Sequence, residues 1–140
     1  MAKRMEYGWK PLPLAFKIFF GFLLLETLSS LALLGDGAFF VFGFLLQGAP
    51  ATALILLLKV AGAAVLLAGL WKRWSWAWKY AELYLLFFFV NEIANLATAY
   101  SSFHATFTLP SVAAALAMLA ANAIFMAIFF RRRDYFERHQ

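Results

Sequence analysis

Residues 51–71 read ATALILLLKVAGAAVLLAGLW, and Lys59 is the one charge in the run. An apolar helix needs roughly 20 residues to cross a hydrocarbon core about 30 Å thick. This stretch is long enough. Its apolar residues are continuous rather than alternating, so it reads as a spanning helix and not as a strand. Pro50 stands at its start, where the first helical turn tolerates a missing N–H.

Working outward, three more runs have the same character. Residues 12–34 are interrupted by Lys17 and Glu26, and residues 79–100 carry Glu82, Asn91, Glu92 and Asn95. Residues 110–130 hold Asn122 as their one strongly polar side chain and open on Leu109-Pro110. The expected fold is therefore an all-α integral membrane protein. It has four transmembrane helices (about 12–34, 51–71, 79–100 and 110–130) in one bundle, a single domain over residues 1–140. Gly35-Asp36-Gly37 ends the first helix, and Gly48-Ala49-Pro50 precedes the second. Between them lies an apolar segment, 38–47, too short to span, which is expected to be re-entrant or interfacial on the outer side.

Composition supports this reading and removes several others. Of 140 residues, 65% are hydrophobic and 14% charged, against about 45–50% and 25% in soluble domains. There is no cysteine, which excludes disulfides, thiol nucleophiles, Cys-ligated zinc and iron–sulfur clusters. His104 and His139 both lie outside the apolar runs, so a haem held by two histidines between helices is excluded, and no cofactor is expected. GxSxG, HExxH and Gly-rich phosphate-loop patterns are absent. Ser101, Ser102 and His104 stand together, but the nearest candidate acid, Asp36, lies in the other outer loop. A triad is not expected there.

Lysine and arginine give the orientation. Lys3, Arg4 and Lys10 precede the first span, and Lys72, Arg73 and Lys79 join the second to the third. Arg131, Arg132, Arg133 and Arg138 follow the fourth, whereas residues 35–50 and 100–110 have neither residue type. By the positive-inside rule the chain is a multi-pass protein of the cell membrane with both termini cytoplasmic. Trp9, Trp71, Trp74, Trp76 and Trp78 gather at the basic boundary, as an aromatic belt does. The net charge of +5 thus reports orientation rather than nucleic-acid binding. Lys72, Arg73, Arg131, Arg132 and Arg133 are expected to meet anionic lipid headgroups. The first span also resembles a signal sequence, with Ser30-Leu31-Ala32 as a small-x-small cleavage site, but Glu26 and the continuation to Leu34 suit a spanning helix better.

The two halves align as a tandem hairpin repeat, 9–73 and 78–133, with Glu26 over Glu92 and Lys72-Arg73 over Arg132-Arg133. Chance similarity between apolar hairpins gives matches of the same quality. Ala113, Ala117 and Ala121 in the fourth span, and Ala61, Ala64 and Ala68 in the second, have the small-residue spacing of helix packing surfaces. Packing within the bundle is expected for them, with a homo-oligomer or larger membrane complex as the alternative.

The intramembrane polar residues carry the functional signal. Each buried charge costs about 2.5–3.5 kcal/mol on insertion scales and so needs a partner. At 1.5 Å per residue, Glu26 and Lys59 both lie roughly 12 Å inside the outer boundary, on consecutive antiparallel helices. An ion pair between them is geometrically natural, with Glu92 as the other candidate partner of Lys59. Glu92 falls close to the same depth and Asn122 one turn deeper. On the third helix, Tyr84, Phe88, Asn91, Asn95, Thr98 and Ser102 form one stripe, flanked by Glu92. The candidate ion- or solute-binding residues are accordingly Glu26, Lys59, Asn91, Glu92, Asn95 and Asn122, with two carboxylates against one ammonium. The leading expectation is a non-enzymatic accessory or interaction bundle, in which this cluster fixes helix register. The second is a small proton- or cation-coupled transporter or channel using the carboxylates. The third is an intramembrane enzyme acting on an apolar lipid, with Glu26 and Glu92 as acid and base.

Overall fold

The computed structural model describes residues 12–32, 34, 38–102 and 108–137. The chain is mostly helical, and four of its helices are long and apolar enough to cross a membrane. They are α1 (Leu14–Ala32), α2 (Ala49–Trp71), α3 (Ala77–Ser102) and α4 (Leu109–Arg131). Each bound falls within a few residues of the expected one. Pro110 occupies the first turn of α4, with Thr108 extended before it. Gly35-Asp36-Gly37, His104, Trp9, the basic residues Lys3, Arg4, Lys10 and Arg138, and the start of the proposed repeat at residue 9 lie outside the described residues.

The all-α expectation is corrected at 38–47. These residues form an antiparallel hairpin, β1 (Ala38–Val41) and β2 (Phe44–Gln47), paired from Ala38↔Gln47 to Val41↔Phe44. The two-residue loop has positive φ at both central positions, 47° at Phe42 and 84° at Gly43. That is the turn whose twist matches paired strands. Gly43 suits it, whereas a phenylalanine at positive φ is strained and needs outside support.

The second span is not one regular helix. Its middle, Ile55–Ala61, is π-helical between α-helical Ala49–Leu54 and Gly62–Trp71. Lys59 sits in that wide turn. A π segment displaces backbone carbonyls from their usual partners, and neighbouring helices supply replacements. The Thr27 hydroxyl of α1 lies 3.4 Å from the Lys59 carbonyl, besides donating to Leu23 O at 2.7 Å. Tyr80 Oη of α3 donates to Gly62 O at 3.2 Å. Close approach also requires a small residue here, because a Cβ on Gly62 would lie 3.1 Å from the Tyr84 ring.

At the other end, α2 closes in a Schellman turn. Trp74 N–H donates to Gly69 O at 2.9 Å and Arg73 N–H to Leu70 O at 3.3 Å, with Arg73 itself at φ 53°. This left-handed residue satisfies the last carbonyls of the helix. Trp74 stacks on Trp76 at 5.2 Å, and Lys72 and Lys79 lie over Trp74 and Trp78. Beyond α4 a short helix, α5 (Asp134–Glu137), turns the tail back. Phe136 is thereby buried against Phe16 and Phe129, and Arg73 lies 4.6 Å from the Tyr135 ring centre.

The core is aromatic at that end. Phe16 meets Phe129 at 5.1 Å, and Phe19 meets Phe125 and Phe129 edge-on at 4.9 and 5.0 Å. These rings join α1 to α4. Leu66 and Leu70 of α2 and Leu85 of α3 complete the same cluster. The alanine stripes take part only at one end: Ala121 packs against the core and Ala68 is half-buried, whereas Ala61 and Ala64 of α2, and Ala113 and Ala117 of α4, are exposed. Inward positions on those helices include Ala63, Leu66, Ala115, Asn122 and Phe125.

Candidate functional site: a polar cavity under a hairpin

Above the aromatic core lies a partly open cavity of about 250 Å³. All six candidate residues line it: Glu26 from α1, Lys59 from α2, Asn91, Glu92 and Asn95 from α3, and Asn122 from α4. Ala38, Phe39 and Phe40 of the hairpin form its cover, and Phe88 and Met118 add apolar wall.

Two of the six are engaged by the hairpin turn. Phe42 N–H donates to Asn91 Oδ1 and Gly43 N–H to Asn95 Oδ1, each at 2.8 Å. The Nδ2 group of Asn91 donates back to Phe40 O at 3.3 Å, and that of Asn95 reaches the same carbonyl at 3.5 Å. The turn is thus clamped by two amides one helical turn apart. The clamp holds Phe42 at its strained φ and sets its ring 5.4 Å from Phe87. Thr98 makes the third constraint, since a Cβ on Gly43 would fall 2.0 Å from its hydroxyl oxygen. Glycine is required there by both space and backbone angle. Asn91 lies eleven residues before the end of α3, so the turn reaches about 16 Å down that helix.

Lys59 and Glu26 form an ion pair across α1 and α2. Lys59 Nζ also lies 4.0 Å from the centre of the Phe88 ring, a cation–π contact that favours the charged ammonium. The π segment thus places the one ammonium between a carboxylate and a ring. Glu92 is near enough to feel both Lys59 and Glu26. It makes no ion pair or hydrogen bond among the described residues. Asn122 is 5% exposed, and it too has no hydrogen-bond partner among the described residues. One helical turn below Phe88, the Tyr84 hydroxyl is buried and unpartnered. Buried polar groups are nearly always satisfied, so the orphaned Tyr84 hydroxyl calls for an explanation.

The remaining sequence features fall elsewhere. Glu82 and Lys79, at the start of the third span, line a separate surface groove of about 340 Å³ with Trp78 and Met126. No group of three or more acidic, histidine or cysteine side chains able to hold a metal ion occurs among the described residues. Sequence reasoning did not find the hairpin cover, the π segment or the role of Phe88. Gly43 and the polar spacing of Asn91 and Asn95 are the signals that could have pointed to the clamp. Comparison of the chain with protein-family models, curated proteins and solved structures finds no match.

Proposed function

We propose that the chain is a multi-pass membrane protein acting as a small proton- or cation-coupled transporter or channel. Its four long helices cross the bilayer, and both termini lie in the cytoplasm. The observation that carries this reading is the convergence of six polar residues, from all four helices, on one cavity in an otherwise apolar molecule. A polar knot that merely fixed helix register would be packed and mutually satisfied. Glu92 and Asn122 instead face open volume.

Orientation rests on charge. Among the described residues outside the spans, the basic side chains Lys72, Arg73, Arg132 and Arg133 share one end with Trp74 and Trp76. That distribution supports a cytoplasmic, headgroup-facing end, where Arg131 joins them in contact with anionic lipid. The hairpin is then on the outer side and reaches into the bilayer. Non-helical backbone at that depth is tolerated where protein or a watery cavity satisfies it, and the asparagine clamp and the cavity supply both. Solute access is from the hairpin side, with the aromatic core as the barrier toward the cytoplasm.

An accessory role has one observation in its favour: Asn91 and Asn95 bond the hairpin rather than face the cavity alone. A lipid-modifying enzyme has none. Reconstitution into proteoliposomes separates the two readings that remain. Ion or solute flux that is lost in Glu92→Gln, with the fold intact, supports transport. Absence of flux in the wild-type protein across a broad ion and solute screen favours the accessory role.

A further inference from the structure

The charge and geometry of the cavity narrow what it binds, given the reading of it as a solute site. Two carboxylates and one ammonium line it. The ammonium of Lys59 is held by Glu26, so neither is free to attract an opposite charge from solution. An anion finds no unpaired cation. A divalent ion finds a single free carboxylate, and such ions favour several oxygen ligands with more than one charge among them. With Glu92 ionised, the surplus is one negative charge. Asn122, nine-tenths buried and without a hydrogen-bond partner among the described residues, lines the same cavity, and its amide oxygen is an additional neutral acceptor. We infer that Glu92 and Asn122 together bind one monovalent cation, an alkali metal ion or a small primary ammonium.

Size agrees with this class. A volume of about 250 Å³ corresponds to roughly eight waters at the liquid value of about 30 Å³ each. It accommodates a partly hydrated alkali ion or a small primary ammonium. Phe88 already faces one ammonium, that of Lys59. The bound ion and Lys59 therefore share the layer without sharing a carboxylate: Lys59 neutralises Glu26, and the ion neutralises Glu92. The ion pair keeps the site at a surplus of one charge rather than two, which is why a monovalent ion suffices.

The test uses the full chain in lipid nanodiscs, with sodium-22 and carbon-14 methylammonium as probes at fixed ionic strength set by N-methylglucamine chloride. The expected result is saturable binding of at least one probe, one per chain. Glu92→Gln weakens it about tenfold or more, the value of a charge-assisted contact, and Asn122→Ala weakens it about threefold to tenfold. Elution as a monodisperse helical protein checks that each variant is folded. Competition between the two probes and potassium tells an alkali site from an ammonium site. Binding that is absent, that is unchanged in both folded variants, or that is displaced by calcium in preference to every monovalent ion overturns the inference. Flux in parallel proteoliposomes separates it from the transport reading. Binding without flux leaves the cation site and removes transport, whereas flux of a solute without cation binding leaves transport and removes the site.

Discussion

The two ends of the molecule solve burial in opposite ways. At the end bearing α5, five phenylalanines, Phe16, Phe19, Phe125, Phe129 and Phe136, pack ring against ring with no polar atom needing a partner. At the hairpin end the interior is polar, and it is held by an ion pair and two asparagine clamps. None of the five rings lines the polar cavity or the surface groove. The hairpin end leaves a cavity whose polar groups are only partly satisfied. The difference teaches where binding can occur in a chain with so little charge: where partners come from different helices and do not saturate one another.

The comparison breaks most sharply under substitutions that remove one partner. Lys59→Met strips the counter-charge from Glu26, and because the pair is only partly buried the cost falls between the ~1 kcal/mol of an exposed pair and the about 3–5 kcal/mol of a fully buried one. Phe129→Ala costs about 3–5 kcal/mol through lost contacts and an unfilled space. Thermal unfolding in detergent checks both. The regions part on rescue: Glu26→Gln added to Lys59→Met recovers most of the loss, because no charge is left unpaired. No second substitution that removes a ring restores Phe129→Ala.

A middle-sized effect is expected at the clamp. Asn91→Ala leaves the Phe42 N–H without its acceptor, and an unsatisfied buried donor costs about 1–3 kcal/mol. The hairpin then loosens over the cavity while the aromatic end stays intact. Hydrogen exchange should show faster exchange at residues 38–47 and unchanged protection around Phe16 and Phe129. Uniform loss of protection would contradict the separation of the two ends.

The smallest effect belongs to Tyr135, which ties the tail to the loop after α2. Burial pushes its hydroxyl above the usual tyrosine value, while Arg73 pulls it part of the way back. A raised value in the folded chain means that the neutral phenol is favoured there. Its contribution is present below the unfolded value of about 10 and is lost as pH rises through the folded one. Melting followed from pH 8 to 11 should therefore fall more steeply in the wild type than in Tyr135→Phe.

How much of this was legible in the sequence follows the same division. The four long helices, and the shared depth of Glu26, Lys59, Glu92 and Asn122, come from run length and helical rise alone. Helix register also put the stripe Tyr84, Phe88, Asn91 on the inward side, where all three are buried. Depth alone does not choose between Glu26 and Glu92 as the partner of Lys59, and the side-chain reach across α1 and α2 decides it. The hairpin was hidden because its turn is Phe-Gly rather than Asn-Gly or Asp-Gly. Its support comes from Asn91 and Asn95, more than forty residues away. The π segment follows from packing against Thr27, Tyr80 and Tyr84, for which no local propensity exists. The tail reads as solvated charge, RRRDYFER, until its two rings find Phe16.

The central claim is that the hairpin end holds a water-accessible, cation-selective cavity and the aromatic end does not. The chain has no cysteine, so single substitutions report access directly. In sealed, outside-out vesicles, Asn122→Cys is predicted to react with a positively charged methanethiosulfonate faster than with a negatively charged one of similar size, and Phe129→Cys to react with neither. Equal, slow labelling at both positions, or faster reaction of the anionic reagent at position 122, would contradict the account.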